Sequence, residues 1–344
     1  MRLQSYPFAA IAATLISLSA CNTTDTPKVP DVSNIPLTLK INRFDQDLLA
    51  IDTNHIEAGL KALEAKYPAF TNFYFTKIIA VKQPNDTSGA YRTKAAGFLR
   101  FPPTRKTLDT IQIVFKDADR IQKEIEQGFR YFKYYFPERP IPEIYTIPTD
   151  FNYAVAIPPT DNMIALGLDM YLGADFQGYQ DPDLPRFMVR TYDKKYLTLR
   201  AFQALINDIA GNPHGNRLLD IMIQNGKKMY ALDLLLPTSP DSIKWEWTEK
   251  QTNWVKENEV AIYAHLLDRK LLYSTNLMDI NKLVNNSPNS PGMPPEAPGR
   301  VANYIGYKII KEFIRRNPKT TLSVLMNTTD AQAILDASKY KPDK

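Results

Sequence analysis

One cysteine in 344 residues, Cys21, constrains most strongly what this chain can fold into. With no second thiol there is no internal disulfide, so the fold rests on apolar burial and hydrogen bonding alone. That cysteine lies near the amino terminus, at the end of Leu18-Ser19-Ala20-Cys21. An apolar run, Phe8-Ala-Ala-Ile-Ala-Ala-Thr-Leu-Ile-Ser-Leu18, precedes it, and Arg2 precedes the run.

The run covers about 11 residues, the length of a signal h-region and too short to span a bilayer. Small residues ending in a cysteine match the lipobox of a bacterial lipoprotein signal peptide. Such a thiol is alkylated by diacylglycerol, the chain is cut before it, and the new amino terminus is acylated. At about 0.8 kcal/mol per buried methylene, two or three acyl chains anchor the chain durably. Residues 1–20 are therefore expected to be removed, and Cys21 to join the membrane rather than the fold. Residues 22–36 are polar and proline-rich and read as a tether, continuous with the lipidated Cys21. The globular domain is expected over 37–344, as a single unit.

The formal charge is +5, with basic and acidic residues interspersed. No basic block marks a nucleic-acid arm, so no nucleic-acid partner is expected. No later segment is apolar enough to span a membrane.

Hydrophobic periodicity predicts a strand over 37–44, a helix from 52 or 53 to 67, a buried helix over 70–81 and a short helix over 105–115. A strongly amphipathic helix is expected over 117–136, with Ile121, Ile125, Phe129, Phe132 and Phe136 on one face. Short strands over 143–147, 151–157 and 163–166 suggest a three-stranded antiparallel meander. Helices follow over 186–192, 195–210, 215–235, 249–270 and 299–316, then near 320–326 and 330–337. The loop 285–299 is long and proline-rich, suited to wrap over a surface. The fold class is α+β, mostly helical, with a small antiparallel sheet flanked by helices.

The three histidines, His55, His214 and His265, show no metal-ligand spacing, and no His-Glu-x-x-His occurs. No Gly-x-Ser-x-Gly elbow or phosphate-binding glycine loop is present. No catalytic set, metal site or cofactor is expected. Four local patterns are more specified than packing requires. Leu166-Gly-Leu-Asp-Met-Tyr-Leu-Gly173, containing Asp169 and Tyr171, is a binding loop or a strand-to-helix turn. Asn225-Gly-Lys-Lys-Met-Tyr230 puts Gly226 inside a helix, at a cost of about 1 kcal/mol against alanine, which implies tight packing, a break or a site. Trp254 to Glu259 carries Asn258 on an apolar face, implying a buried hydrogen bond. In Pro298-Gly-Arg-Val-Ala-Asn-Tyr-Ile-Gly306, Ala302, Gly306 and Ile310 form a small-residue stripe for close helix contact. Packing is the favoured reading of all four patterns.

Together with Tyr145-Thr-Ile-Pro148, Phe151-Asn-Tyr153, Leu184-Pro185, Leu236-Pro237, Ile305-Gly-Tyr307 and Lys339-Tyr-Lys-Pro342, these pieces resemble the gliding motility lipoprotein GldB family of the Bacteroidetes. The resemblance runs from about Leu39 to the end. It implies an envelope lipoprotein needed by the gliding machinery, which is linked to type IX secretion. The family is also distantly similar to zinc-metallopeptidase-like proteins, in which one helix bears His-Glu-x-x-His and a later helix supplies a third ligand. Here the corresponding helix, Tyr196-Leu-Thr-Leu-Arg-Ala-Phe-Gln-Ala-Leu205, has no histidine. Asn225 stands where the ligand carboxylate would be. The comparison implies a zincin-like fold that has lost its metal, a pseudo-metallopeptidase; whether Arg200, Asn207 and Asn225 face one cleft is the observation that a structure supplies.

The expected function is a non-enzymatic scaffold or binding component, held in the outer membrane by the lipid on Cys21, with its domain in the periplasm. Envelope proteins of the gliding and secretion apparatus are the expected partners. Candidate partner- or cleft-binding residues are Asp169, Tyr171, Arg200, Asn207, Asn225, Lys227, Tyr230 and Asn258. The alternative is an envelope hydrolase acting on peptide or peptidoglycan through a site no motif reveals.

Overall fold

In the computed structural model the described residues are 29–159 and 161–342. Cys21, the signal peptide and residues 22–28 of the expected tether lie outside them. The rest of that tether is not free chain. Val32 is buried, and Ile35 and Leu37 pack against the same core. The compact unit therefore begins at Val32 rather than at 37. Isolated apolar residues among prolines still bury when a neighbouring core accepts them.

The sheet departs most from expectation. Four strands lie in the order β1 (Ile41–Asn42), β2 (Glu143–Ile147), β4 (Met163–Gly167) and β3 (Val155–Ala156). β1 and β4 both run parallel to β2, and only β3 is antiparallel, to β4. The sheet is mixed, not an antiparallel meander. The chain leaving β2 passes the place β4 will occupy, forms β3 beyond it, and returns to insert β4 between them. β2 and β4 are buried almost without interruption, as parallel strands covered on both faces are. Ile144, Ile164 and Leu166 join one core, and Tyr145, Ile147 and Ala165 the other.

The second core is N-terminal. Helices α1 (Phe44–Leu49), α2 (Ile56–Lys66), α3 (Pro68–Phe73), α4 (Tyr91–Arg100) and α5 (Pro102–Val114) surround it. The expected 70–81 helix is α3 followed by a π-helical turn, Tyr74–Ile78. Ala80, with φ of +50°, ends the helical path. Phe70 stacks on Tyr145 with ring centroids 3.7 Å apart, joining this layer to the sheet.

The larger core lies on the other face. Helix α6 (Asp119–Tyr135) presents its predicted stripe of Ile121, Ile125, Phe129 and Phe132 to it. A short helix, α7 (Arg186–Val189), precedes α8 (Leu197–Ala210) and α9 (Leu218–Leu235). Then come α10 (Asp241–Lys244), α11 (Glu249–Glu257), α12 (Glu259–Asp268), α13 (Leu277–Val284), α14 (Val301–Arg316), α15 (Leu322–Asn327) and α16 (Ala331–Ser338). The expected 249–270 helix is thus two. Asn258 breaks it, its side-chain amide donating to the carbonyl of Trp254 at 2.8 Å, a local bond that competes with the helix ladder.

α9 and α14 pack backbone against backbone, and glycine permits it. A Cβ on Gly226 would overlap the backbone of Gly306, and one on Gly306 would overlap the carbonyl of Met222. The small-residue stripe read from the sequence is this crossing. Overpacking should therefore be costly here. Gly306→Ala is expected to lower unfolding stability by about 3 kcal/mol, measured by urea titration. Gly97→Ala, on an exposed helical site with nothing within 4 Å of the new carbon, should instead raise it by about 0.5–1 kcal/mol.

Candidate functional site

Helices α8 and α9 each turn one polar face toward a common cleft. On α8, Arg200, Gln203 and Asn207 recur at i, i+3 and i+7; on α9, Asn225, Lys228 and Leu232 do the same. That spacing places each set on one helix face. The α9–α14 crossing adds Asn303. Asn225 donates to the Asn303 side-chain oxygen at 3.0 Å, and the Asn303 amide donates to the carbonyl of Val284 at 2.7 Å. The loop 285–299 closes another side through Asn285 and Asn286. The cleft holds about 290 Å³.

Among the described residues Glu246 is the only carboxylate lining it, against three cations, Arg200, Lys228 and Arg300. Its side chain is 1% exposed and contacts Arg200 at 2.5 Å and Arg300 at 3.1 Å. Arg190 donates to the Glu246 backbone carbonyl at 2.7 Å, and Arg300 also donates to the carbonyl of Trp245. Burial pulls the Arg300 guanidinium down, while Glu246 acts to raise it. The Arg300 Nε is buried without a hydrogen-bond acceptor, and the short Arg200–Glu246 contact is an ion pair lacking hydrogen-bond geometry.

Both partners of this pair sit in left-handed backbone, Glu246 at φ +53° and Arg300 at φ +69°. Such positions are uncommon outside glycine and are retained where the surroundings enforce them. Around Glu246 the cause is visible. Trp245 and Trp247 stack on each other at 4.8 Å and pack on Tyr304, and the Trp247 indole donates to the carbonyl of Gly299 at 3.1 Å. The left-handed residue between them lets both rings enter the core while the carboxylate meets the arginines. Arg300 immediately precedes α14 and follows Gly299, so this one indole bond also fixes the approach to the helix.

Lys228 differs from the arginines. It is half-buried, burial lowers the pKa of its ammonium, and no carboxylate opposes that shift. It has no ion-pair partner among the described residues.

Of the residues singled out in the sequence, Arg200, Asn207 and Asn225 line this cleft. The other described candidates lie elsewhere. Asp169 is buried and accepts hydrogen bonds from the backbone N–H of Thr149 and Phe151 and from the Thr149 hydroxyl. It holds a turn in which Asp150 and Phe151 both have positive φ. Tyr171 is buried against it, donating to the carbonyl of Ala154 at 3.2 Å. Lys227 points away from the cleft and donates to the carbonyl of Thr328 at 2.8 Å, burial pushing its ammonium down to about 8. Tyr230 belongs to the large core, and Asn258 serves the helix break. Glu246, Lys228, Arg300 and Asn303 were missed as site residues. A single carboxylate between two tryptophans, and an arginine after Pro298-Gly299, were the signals available.

Two outcomes are expected. Glu246→Gln leaves two guanidinium groups without their carboxylate and should cost about 3 kcal/mol in urea unfolding. Asp169 should carry a pH signature. Burial pushes its carboxyl up to about 6 from an ordinary 3.8, against the hydrogen bonds from Phe151 and Thr149. Between those values the folded chain holds a proton that the unfolded chain has lost. Its contribution to stability therefore falls as pH rises from about 4 to about 6, by up to about 3 kcal/mol. Subtracting the Asp169→Asn stability profile from that of the wild type should isolate this slope; parallel profiles would contradict it.

The profile of the family described as gliding motility protein GldB matches residues 25–342, nearly the whole chain. No curated protein and no solved structure matches it.

Proposed function

Because the chain belongs to the gliding motility protein GldB family, we propose that it is a lipid-anchored, non-enzymatic binding component of the gliding and type IX secretion apparatus. Cys21 carries the anchor, in the periplasmic leaflet of the outer membrane, and the domain presents the α8–α9–α14 cleft to its partner. No described helix is long and apolar enough to cross a membrane, which leaves attachment in this reading to the lipid.

One observation carries the non-enzymatic reading. The single carboxylate in the cleft is committed to Arg200 and Arg300. A carboxylate acting as general base or nucleophile must be free to take a proton or attack, and the Glu246 oxygens both face guanidinium groups. None of the three histidines lines the cleft. Metal-assisted hydrolysis needs three protein ligands around an open position, and the cleft's side chains are cations, amides and apolar groups around one paired carboxylate. The zincin-like frame proposed from the sequence would here serve binding, with Asn225 held by Asn303 where a ligand carboxylate would stand.

The full-length chain, purified in detergent, should carry well below one zinc per chain by elemental analysis. It should also leave peptide and peptidoglycan substrates intact. Stoichiometric zinc whose removal abolishes a hydrolytic activity would overturn the reading. In cells, Cys21→Ala should move the folded chain from the membrane to the soluble fraction. Protease added to intact cells should spare the wild-type domain, whereas its digestion would refute the periplasmic placement.

A further inference from the structure

Three cations line the α8–α9–α14 cleft and one carboxylate opposes them, an excess of two positive charges. The excess is distributed in a particular way. Arg300 spends both terminal nitrogens on Glu246 and Trp245. Arg200 spends one, Nη2, on Glu246 and Thr191; its Nη1 and Nε have no partner among the described residues, and its side chain is 28% exposed. Lys228 has no ion-pair partner there at all. Glu246 thus holds the guanidinium pair, while Nη1 and Nε of Arg200 and the ammonium of Lys228 remain available among the described residues.

Lys228, half-buried and without a counter-ion among the described residues, is held against its hydration, which an arriving anion would offset. The rest of the lining specifies which anion. Ile206, Met229, Leu232 and Val284 are apolar, and Gln203 and Asn207 offer amide groups. A bare inorganic anion uses neither. A peptide end uses all three features, with a carboxylate for the cations, backbone amides for the side-chain amides, and a small side chain for the apolar floor. The volume of about 290 Å³ suits a residue or two.

We propose that the cleft receives the terminal carboxylate of a peptide, clamped by Arg200 and Lys228. This rests on the binding reading above and names the chemical class bound. Arg200 supplies an N–H donor from Nη1 or Nε, and the Lys228 ammonium supplies a second donor and a point charge. The terminus has two sources in an envelope, a protein chain end with L residues or a cell-wall stem peptide with D residues.

The test is calorimetric titration of the full-length chain in detergent with N-acetyl-L-Ala-L-Ala, its D,D enantiomer, and the C-terminal amide of each. At least one free acid should bind saturably, and its amide roughly tenfold or more weaker. Preference for L points to a protein terminus and preference for D to a stem peptide; either supports the proposal. Lys228→Gln should weaken the free acid by roughly tenfold or more with an unchanged melting temperature, because Lys228 has no native ion pair to lose. Arg200→Lys keeps the charge, and so the pairing to Glu246, but removes the guanidinium donors Nη1 and Nε that face the ligand; it should weaken binding by a comparable factor. Equal affinity for acid and amide, unaltered affinity in Lys228→Gln, no saturable binding of any peptide, or tighter binding of inorganic phosphate would each overturn the proposal. Cleavage of a bound peptide would overturn the non-enzymatic reading instead, while leaving carboxylate recognition standing.

Discussion

The backbone-to-backbone approach of α9 and α14 at Gly226 and Gly306 is the contact on which the rest of the large domain depends. Two helices can come this close only where neither presents a side chain. The approach brings Asn225 within hydrogen-bonding distance of Asn303 and sets where α14 begins. Arg300, at that beginning, then meets Glu246. The stacked Trp245 and Trp247 fill the space beside α14 against Tyr304. Packing at the crossing and charge in the cleft are two consequences of one geometry.

The ion pair itself is an expensive construction. Burying Glu246 with guanidinium groups costs desolvation that the attraction alone need not repay, and both Glu246 and Arg300 hold left-handed backbone. A domain needing only stability would be served by apolar residues in the same space. Retaining strain and buried charge together at one cleft is the pattern of a functional site. The Asp169 cluster is a useful contrast. It too is buried and beside positive-φ residues, but its carboxylate is saturated by donors from the turn it supports, and it faces no comparable group of cations.

Sequence periodicity revealed the helices that carry a continuous apolar stripe, α6 above all, because burial of one face is what periodicity records. It also located α8, α9 and α14 to within a few residues. It did not reveal α4, whose ten residues include three basic residues and an exposed glycine, nor the break at Asn258, which depends on one side chain turning back on its own helix. Strand direction was misread for a related reason. Spacing suggests hairpins, whereas the unbroken burial of Ile144 to Ile147, Thr146 included, belongs to a strand covered on both faces. Three of the residues that line the cleft, Arg200, Asn207 and Asn225, are candidates from the sequence. Glu246 and Arg300 are not, because their roles arise from positive φ at non-glycine positions, which no local pattern announces. Val32 and Ile35 looked like linker because burial depends on a distant core.

A double-mutant cycle between Glu246 and Arg300, read by urea unfolding of Glu246→Gln, Arg300→Met and the double variant, tests most directly whether this pair is the coupled centre of the cleft. A coupling of about 2 kcal/mol or more is expected, the double variant being markedly more stable than the sum of the two losses allows. Additive losses would mean that the two side chains act independently, and would contradict it.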